Sequence, residues 1–98
     1  MKQFEVGKTY RSMFTTYHDW RHHYRVVART EKTVTVAIDF CSGCGDRHKC
    51  DTCPFCDPFW DEEATERKAI RYKDGAEVFY PERDALGHSV IASAYWRV

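Results

Sequence analysis

All five cysteines of the chain lie within residues 41–56, and their spacing suits metal binding better than any other group of residues in the sequence. Cys41 and Cys44 form one Cys-x2-Cys turn, and Cys53 and Cys56 form a second. Each turn can bring two thiolates to one ion, and two turns complete the tetrahedral shell that structural zinc prefers. The sequence therefore predicts one structural zinc ion bound by these four cysteines.

The fifth cysteine, Cys50, leaves a choice of second turn, because Cys50 and Cys53 also have the Cys-x2-Cys spacing. Pro54 argues against that choice: the residue after the second ligand should offer an N–H to the sulfur, and proline has none. We therefore interpret Cys50 as a spare or substitute ligand. His48 is a weaker substitute.

Three other cysteine chemistries remain as alternatives to zinc. An iron–sulfur cluster could use Cys50, Cys53, Cys56 and one upstream cysteine, although nothing else in the sequence suggests electron transfer. Disulfides need an oxidising compartment, and five cysteines cannot all pair. A redox-active Cys-x2-Cys pair normally lies between a strand and a helix, which is not the predicted setting.

No group of residues predicts catalysis. The sequence has no glycine-rich phosphate loop and no serine or cysteine in a nucleophile turn. A zinc ion enclosed by four thiolates leaves no coordination position for water, so the predicted ion is structural. We therefore expect a binding protein rather than an enzyme.

Charge is unevenly distributed, although the net charge is zero. Residues 1–38 contain seven Lys or Arg and three Asp or Glu (net +4), and residues 67–98 contain six and four (net +2). Residues 39–66 contain two and eight, a net charge of −6. An acidic segment on a basic body favours a basic protein partner, and a solvated acidic loop without a partner is the alternative. The acidic residues predicted to contact the partner are Asp57, Asp61, Glu62, Glu63 and Glu66.

The elements that position these residues are mainly strands. Residues 7–14, 24–29, 33–38, 68–72, 76–80 and 89–92 are rich in β-branched and aromatic residues or alternate in polarity. The link 30–32 predicts one hairpin, and Asp74-Gly75 predicts another, because Asp-Gly between alternating runs is the strongest short hairpin signal. The cysteine segment then lies between the third and fourth strands.

One short helix is predicted over residues 58–67. Asp57 can cap it, Pro58 suits its first position, and the acids 61–63 suit the positive end of its dipole. The sequence thus predicts a mainly β fold with minor α: a small antiparallel sheet or barrel with an inserted zinc-binding loop. Its 98 residues form one domain, with the zinc lobe inserted at about 41–66.

The segment 18–23 contains three histidines, a tryptophan and an arginine. His18 and His22 are four residues apart, but the segment lacks helical periodicity and lies between strand-like runs, so we interpret it as a hairpin loop. Trp20 and Arg21 are predicted partner-binding residues, because Trp and Arg are enriched at binding hot spots. A solvated loop with its tryptophan folded onto the sheet is the alternative.

The location expected from the sequence is intracellular. No apolar run approaches the roughly 20 residues of a membrane helix. The first residues, Met1-Lys2-Gln3-Phe4-Glu5, lack the apolar stretch of a secretory signal. A reducing compartment would keep the thiols available for metal.

Four segments outside the cysteine insert carry a resemblance to a known group: residues 6–10, 26–36, 72–77 and 89–94, which are 28 of the 98 residues. They resemble small, mostly uncharacterised β proteins from phages and mobile elements of Gram-positive gut bacteria. The resemblance implies a location in the cytoplasm of a bacterial host and a role as an inhibitor of host machinery. Zinc-binding anti-CRISPR proteins, which block the RNA-guided DNA nuclease of type II systems, are one such class. The cysteine insert departs from the pattern of this group.

Two functions follow as leading hypotheses, and a structural subunit of a larger phage or mobile-element assembly is a third, less specific one. The first is a zinc-binding protein-interaction module, most concretely an anti-CRISPR inhibitor whose acidic segment binds a basic nucleic-acid-handling protein. The second is a zinc-ribbon-like nucleic-acid binder, in which Tyr10, Tyr17, Trp20 and Tyr24 stack on bases while Arg11, Arg21 and Arg25 contact phosphates. The zero net charge makes direct nucleic-acid binding the less favoured of the two.

Overall fold

The structure, a computed structural model, describes residues 1–16, 20–41, 58–82, 87 and 89–98. The described residues form seven strands: β1 (Thr9–Phe14), β2 (Trp20–Arg29), β3 (Thr33–Cys41), β4 (Pro58–Ala69), β5 (Arg71–Lys73), β6 (Ala76–Phe79) and β7 (Val90–Arg97). They make one sheet in the order β4-β3-β2-β1-β7-β6-β5. All neighbouring strands are antiparallel, as the sequence predicts.

The sheet curls until its two edge strands meet at one end. In a flat sheet, β4 and β5 would be six strand spacings apart, about 29 Å. Only Ile70 separates the last residue of β4 from the first residue of β5, so their Cα atoms lie within about 7.6 Å. The N–H of Ile70 donates to the carbonyl of Lys32 in the β2–β3 turn at 2.8 Å. The fold is therefore a half-barrel, closed at this corner.

Aromatic rings from distant strands meet inside the half-barrel. The ring of Phe79 on β6 lies 5.6 Å from that of Tyr24 on β2, although two strands separate β6 from β2. Phe4, from the segment before β1, packs 4.8 Å from Tyr10 and 5.2 Å from Phe79. The core cluster also contains Val26, Val34, Val36, Ile70, Ala76, Ala92 and Ala94. Burial of these side chains supplies the main stabilisation of the sheet.

Both predicted hairpins are present. β2 and β3 pair from Tyr24 with Ile38 to Arg29 with Val34 around the predicted turn. In the β5–β6 turn, Asp74 and Gly75 have φ angles of 53° and 81°. Two successive residues with positive φ are typical of the type I′ turn, which matches the twist of a two-stranded ribbon.

The predicted helix over 58–67 is wrong, because these residues belong to β4. β4 pairs with β3 from Cys41–Pro58 to Thr33–Ala69, and this partner satisfies backbone groups that a helix would have bonded internally. A helix of ten residues is marginal alone, so a sheet partner overrides local capping signals. Pro58 is the first residue of an edge strand, a position where proline is tolerated.

A buried ion pair fastens the segment before β1 to the sheet. Glu77 on β6 is 1% exposed and accepts two hydrogen bonds from Arg29 on β2, at 2.7 and 2.9 Å. The N–H of Phe4 donates to the same carboxylate at 2.8 Å, and the carbonyl of Phe4 accepts from Arg29 at 2.6 Å. Burial acts to raise the pKa of Glu77, but the hydrogen bonds from Arg29 and Phe4 outweigh it and lower that pKa.

No helix among the described residues has the length and apolar character needed to cross a membrane.

The cysteine segment connects two neighbouring strands. β3 ends at Cys41, before the segment, and β4 begins at Pro58, after it. The half-barrel therefore presents residues 42–57 from the end of its edge hairpin.

Candidate metal centre

The β3–β4 hairpin brings the two ends of the cysteine segment together. Phe40 pairs with Phe59, and Cys41, the last residue of β3, pairs with Pro58, the first residue of β4. Directly opposed residues in an antiparallel pair have Cα atoms about 4.5 to 5.5 Å apart. Cys41 is therefore fixed at the mouth of the segment, and residues 42–57 must leave and return within that distance.

The remaining predicted ligands lie outside the described residues. Cys44, Cys53 and Cys56, the spare Cys50 and the substitute His48 all fall within residues 42–57. Among the residues that the structure describes, no group of three His, Cys, Asp or Glu side chains could hold a metal ion. The zinc site thus remains a prediction from the cysteine spacing, to which the hairpin adds a fixed position for Cys41.

The predicted acidic partner surface is divided between strand and segment. Asp57 lies outside the described residues, and Asp61, Glu62 and Glu63 are strand residues of β4 instead of helix residues. Of the zinc lobe predicted at about residues 41–66, the part from residue 58 onward is therefore a strand of the sheet.

The acids coincide with an irregularity in the edge strand. Ala37 pairs with Thr65, but the next residue of β3, Ile38, pairs with Asp61. Three residues of β4, numbers 62–64, are therefore extra to the register, as in an enlarged β-bulge. A bulge on an edge strand interrupts regular pairing and sets adjacent residues at a different angle to the sheet.

Of the acidic residues predicted to contact the partner, Glu66 is the one whose side-chain contact is known among the residues that the structure describes. Its carboxylate lies 3.1 Å from the ammonium of Lys68, two residues along the same strand. Both side chains are partly exposed, so the pair contributes little to stability, on the order of 0.5 kcal/mol. Lys68 therefore compensates the charge of Glu66.

The interpretation of 18–23 as a loop is wrong for residues 20–23, which begin β2. His18 lies outside the described residues. Arg21 donates to Glu82 at 2.7 Å and its guanidinium lies 5.3 Å from the ring centre of Phe14, so it is held against its own protein. Trp20, by contrast, is 43% exposed and suits the predicted binding role. In the structure, exposed and buried residues alternate along this part of β2, whereas the residue types at 20–23 do not alternate in polarity and gave no strand signal.

A Ser–His–carboxylate grouping occurs at the start of β2 but lacks catalytic geometry. The Oγ of Ser12 donates to the backbone carbonyl of His22 at 2.8 Å and accepts from its backbone N–H at 2.9 Å. The imidazole Nε2 of His22 lies 3.8 Å from Glu82, beyond hydrogen-bond distance. Both Ser12 and His22 are buried, so this serine bridges two strands instead of serving a nucleophilic triad.

Sequence reasoning missed one residue of functional interest, Trp96. The last strand was expected to end at residue 92, but β7 continues to Arg97. Trp96 lies 5.6 Å from Trp20 in an edge-to-face arrangement with an interplanar angle of 84°. The adjacent aromatic residues Tyr95 and Trp96, which favour strands, were the available signal for this extension.

Comparison of the chain with protein-family models, curated proteins and solved structures finds no match. Functional inference therefore rests on the residues of this chain and on their placement. The strongest such feature is a cysteine-rich segment whose two ends are fixed by an acidic edge hairpin.

Proposed function

We propose that this chain is a zinc-stabilised protein-interaction module that binds and blocks a basic, nucleic-acid-handling protein. The most concrete partner is the RNA-guided DNA nuclease of a type II system, which makes the chain an anti-CRISPR inhibitor. The observation that supports this proposal is the pairing of Cys41 with Pro58, which holds both ends of the cysteine segment together. An ion bound there would order the segment before binding and so reduce the entropy lost on association.

The negative charge of residues 39–66 indicates the kind of partner that the proposed module would bind. Residues 39–66 have a net charge of −6, and four thiolates with one divalent ion would add about two negative charges. Proteins that hold nucleic acid have strongly positive channels, because they must neutralise phosphates. The acidic hairpin would occupy such a channel and exclude the nucleic acid. Asp61, Glu62 and Glu63, on the irregular part of the edge strand, are the residues we expect to pair with arginines and lysines of the partner.

The test is binding and inhibition with a purified type II nuclease, measured with and without its guide RNA. The wild-type chain should bind and reduce DNA cleavage, with an affinity that falls as salt rises. The triple variant Asp61→Lys, Glu62→Lys, Glu63→Lys should bind at least tenfold more weakly, since each charge reversal replaces attraction by repulsion.

The matched control is the double variant Glu5→Lys, Glu31→Lys, which reverses two exposed charges outside β3, β4 and the cysteine segment. It should retain inhibition, because general charge does not substitute for the acidic segment. Absence of binding by the wild-type chain would remove this partner. Equal losses in the triple variant and the control would remove the acidic segment as the contact.

A further inference from the structure

The outer face of the sheet, opposite the core, has an exposed aromatic cluster. Trp20 on β2 and Trp96 on β7 pack edge to face, with their ring centres 5.6 Å apart. The guanidinium of Arg11 on β1 lies 5.1 Å from the ring centre of Trp20. Trp20 remains 43% exposed within this arrangement. The indole of Trp20 is thus held in place by a second ring and an arginine, and part of its surface is open to solvent. Such a preorganised ring can stack on another aromatic group.

A line of arginines runs from this cluster across the outer face. Arg11 pairs with His23 across β1 and β2, and Arg25 lies two residues further along β2. Their neighbours Tyr10 and Tyr24 are buried in the core, so alternation places Arg11 and Arg25 outside. Arg67, on β4, is exposed. The three arginines lie on three of the four neighbouring strands β1 to β4, a path suited to a chain of phosphates.

A cavity of about 310 Å³ opens beside Trp96. Its apolar lining includes Met13, Ile91 and Val78, and Lys73 and Asp74 also line it. This volume is at the lower end of ligand sites, which run from roughly 300 to 1,000 Å³, so it suits one ring system. Lys73 can contact an anionic group attached to that ring, and Asp74 can accept a hydrogen bond from it.

We propose that the outer face binds single-stranded nucleic acid, with one base stacked on Trp20, a neighbouring base in the cavity beside Trp96, and phosphates on Arg11 and Arg25. A duplex hides the faces of its bases, so stacking on Trp20 requires a single strand. An acidic protein could use the arginines, but it would not supply a series of flat rings. Sheets with exposed aromatics use this arrangement to bind single strands.

This inference goes beyond the proposed function, since it uses β1, β2 and β7 and needs neither zinc nor the acidic segment. It also corrects the stacking residues expected from the sequence. Tyr10 and Tyr24 are each 1% exposed and cannot stack on a base, whereas Trp96 replaces them. The zero net charge is no obstacle, because the excess of acid lies in residues 39–66.

The experiment measures fluorescence anisotropy of labelled oligothymidylate of about twelve nucleotides with the full chain at about 50 mM salt. A saturable signal is expected that weakens as salt rises. Trp20→Ala and Trp96→Ala should each reduce affinity at least fivefold, the effect of losing one stacked base. Arg11→Ala and Arg25→Ala should each lower the salt slope by about 0.7, the value for one phosphate of a single strand.

Matched controls separate the proposed face from the rest of the protein. Tyr72→Ala removes an exposed aromatic on β5, and Lys32→Ala removes an exposed cation in the β2–β3 turn. Both should bind within a factor of two of wild type. Trp20→Phe and Trp96→Phe keep a stacking ring and should lose less than their alanine counterparts, and circular dichroism verifies that every variant is folded.

Three results would overturn the inference: no anisotropy change with the single strand, equal binding of a duplex of the same length, or equal binding of polyglutamate. The last result would identify a surface for acidic proteins. Triple reversal of Asp61, Glu62 and Glu63 should leave oligonucleotide binding intact or strengthen it. This makes failure of the outer face distinguishable from failure of the acidic segment.

Discussion

The half-barrel and the cysteine segment 42–57 differ in the residues available to stabilise them. The half-barrel has an apolar core cluster drawn from most of its strands and a buried ion pair between β2 and β6. The segment has Phe55 as its only large apolar residue besides four cysteines. Because the segment is this poor in apolar side chains, the proposed zinc ion would be its main source of stabilisation. The comparison suggests two regions that are stabilised independently.

The largest effect is expected for the buried ion pair of the half-barrel. Glu77→Gln keeps the size of the side chain but leaves the guanidinium of Arg29 without its charged partner. Removing one partner of a buried pair is strongly destabilising, and Arg29 is 21% exposed, so we expect a loss of about 3 kcal/mol in the free energy of unfolding. Urea denaturation measures this loss. Zinc content of the folded variant should be unchanged.

The matched control is Glu5→Gln, which removes the same charge from an exposed pair with Arg97. It should cost no more than about 0.5 kcal/mol. A comparable loss in both variants would show that burial does not distinguish the two pairs.

The dependence of the free energy of unfolding on pH should reflect the ionisation of the same carboxylate, that of Glu77. The pKa of Glu77 is lowered in the folded protein, so its contribution is fully present above the unfolded pKa, roughly 4.3. That contribution is lost as pH falls through the lowered folded pKa. Below about pH 4.3, the free energy of unfolding should therefore fall less steeply with falling pH in Glu77→Gln than in the wild-type chain. Denaturation curves at a series of pH values measure this.

Metal removal is expected to have a smaller effect, confined to the cysteine segment. The four predicted ligands lie within residues 41–56, so an unfolded chain can also close around the ion, which weakens the link between binding and global folding. Chelation should lower the free energy of unfolding of the half-barrel by less than about 1 kcal/mol. Amide resonances should change at Cys41 and Phe59 and remain constant around Tyr24 and Phe79.

Global unfolding on chelation would contradict this independence and make the two regions one cooperative unit. An unchanged segment after complete chelation would contradict the zinc prediction itself. Elemental analysis of the purified chain before and after chelation is the necessary companion measurement.

The half-barrel could be predicted well from the sequence because its signals are local and repeated. The runs at 24–29 and 33–38 alternate and flank a short polar link, and Asp74-Gly75 supplies the positive φ angles of its turn. β4 was predicted as a helix because capping residues and acids favour one locally. Its pairing with β3 is a long-range interaction that no local pattern contains.

The two candidate sites also differ in whether local sequence is enough to predict them. Cysteine spacing predicts a metal from sequence alone, whereas the outer face depends on which strands become neighbours. Trp20 and Trp96 are 76 positions apart in the chain and meet because β2, β1 and β7 are successive strands. Burial of Tyr10 and Tyr24 depends on the curl of the sheet, which also cannot be inferred from their own neighbours.

The smallest effect is expected for Cys50→Ser, and it sharpens the comparison by testing the internal order of the cysteine segment. If Cys41, Cys44, Cys53 and Cys56 complete the tetrahedral shell, Cys50 contributes no bond to the ion. The variant should keep one zinc per chain and the wild-type free energy of unfolding within about 0.5 kcal/mol.

Serine at any of the four predicted ligands should instead lower zinc affinity, because a hydroxyl replaces a thiolate. Cys56→Ser is the informative comparison, since Cys50 and Cys56 compete for the place beside Cys53. Competition with a chromogenic chelator ranks the variants. Loss of zinc in Cys50→Ser with retention in Cys56→Ser would assign the second turn to Cys50 and Cys53. Pro54 would then follow the second ligand, and the argument from its missing N–H would be wrong.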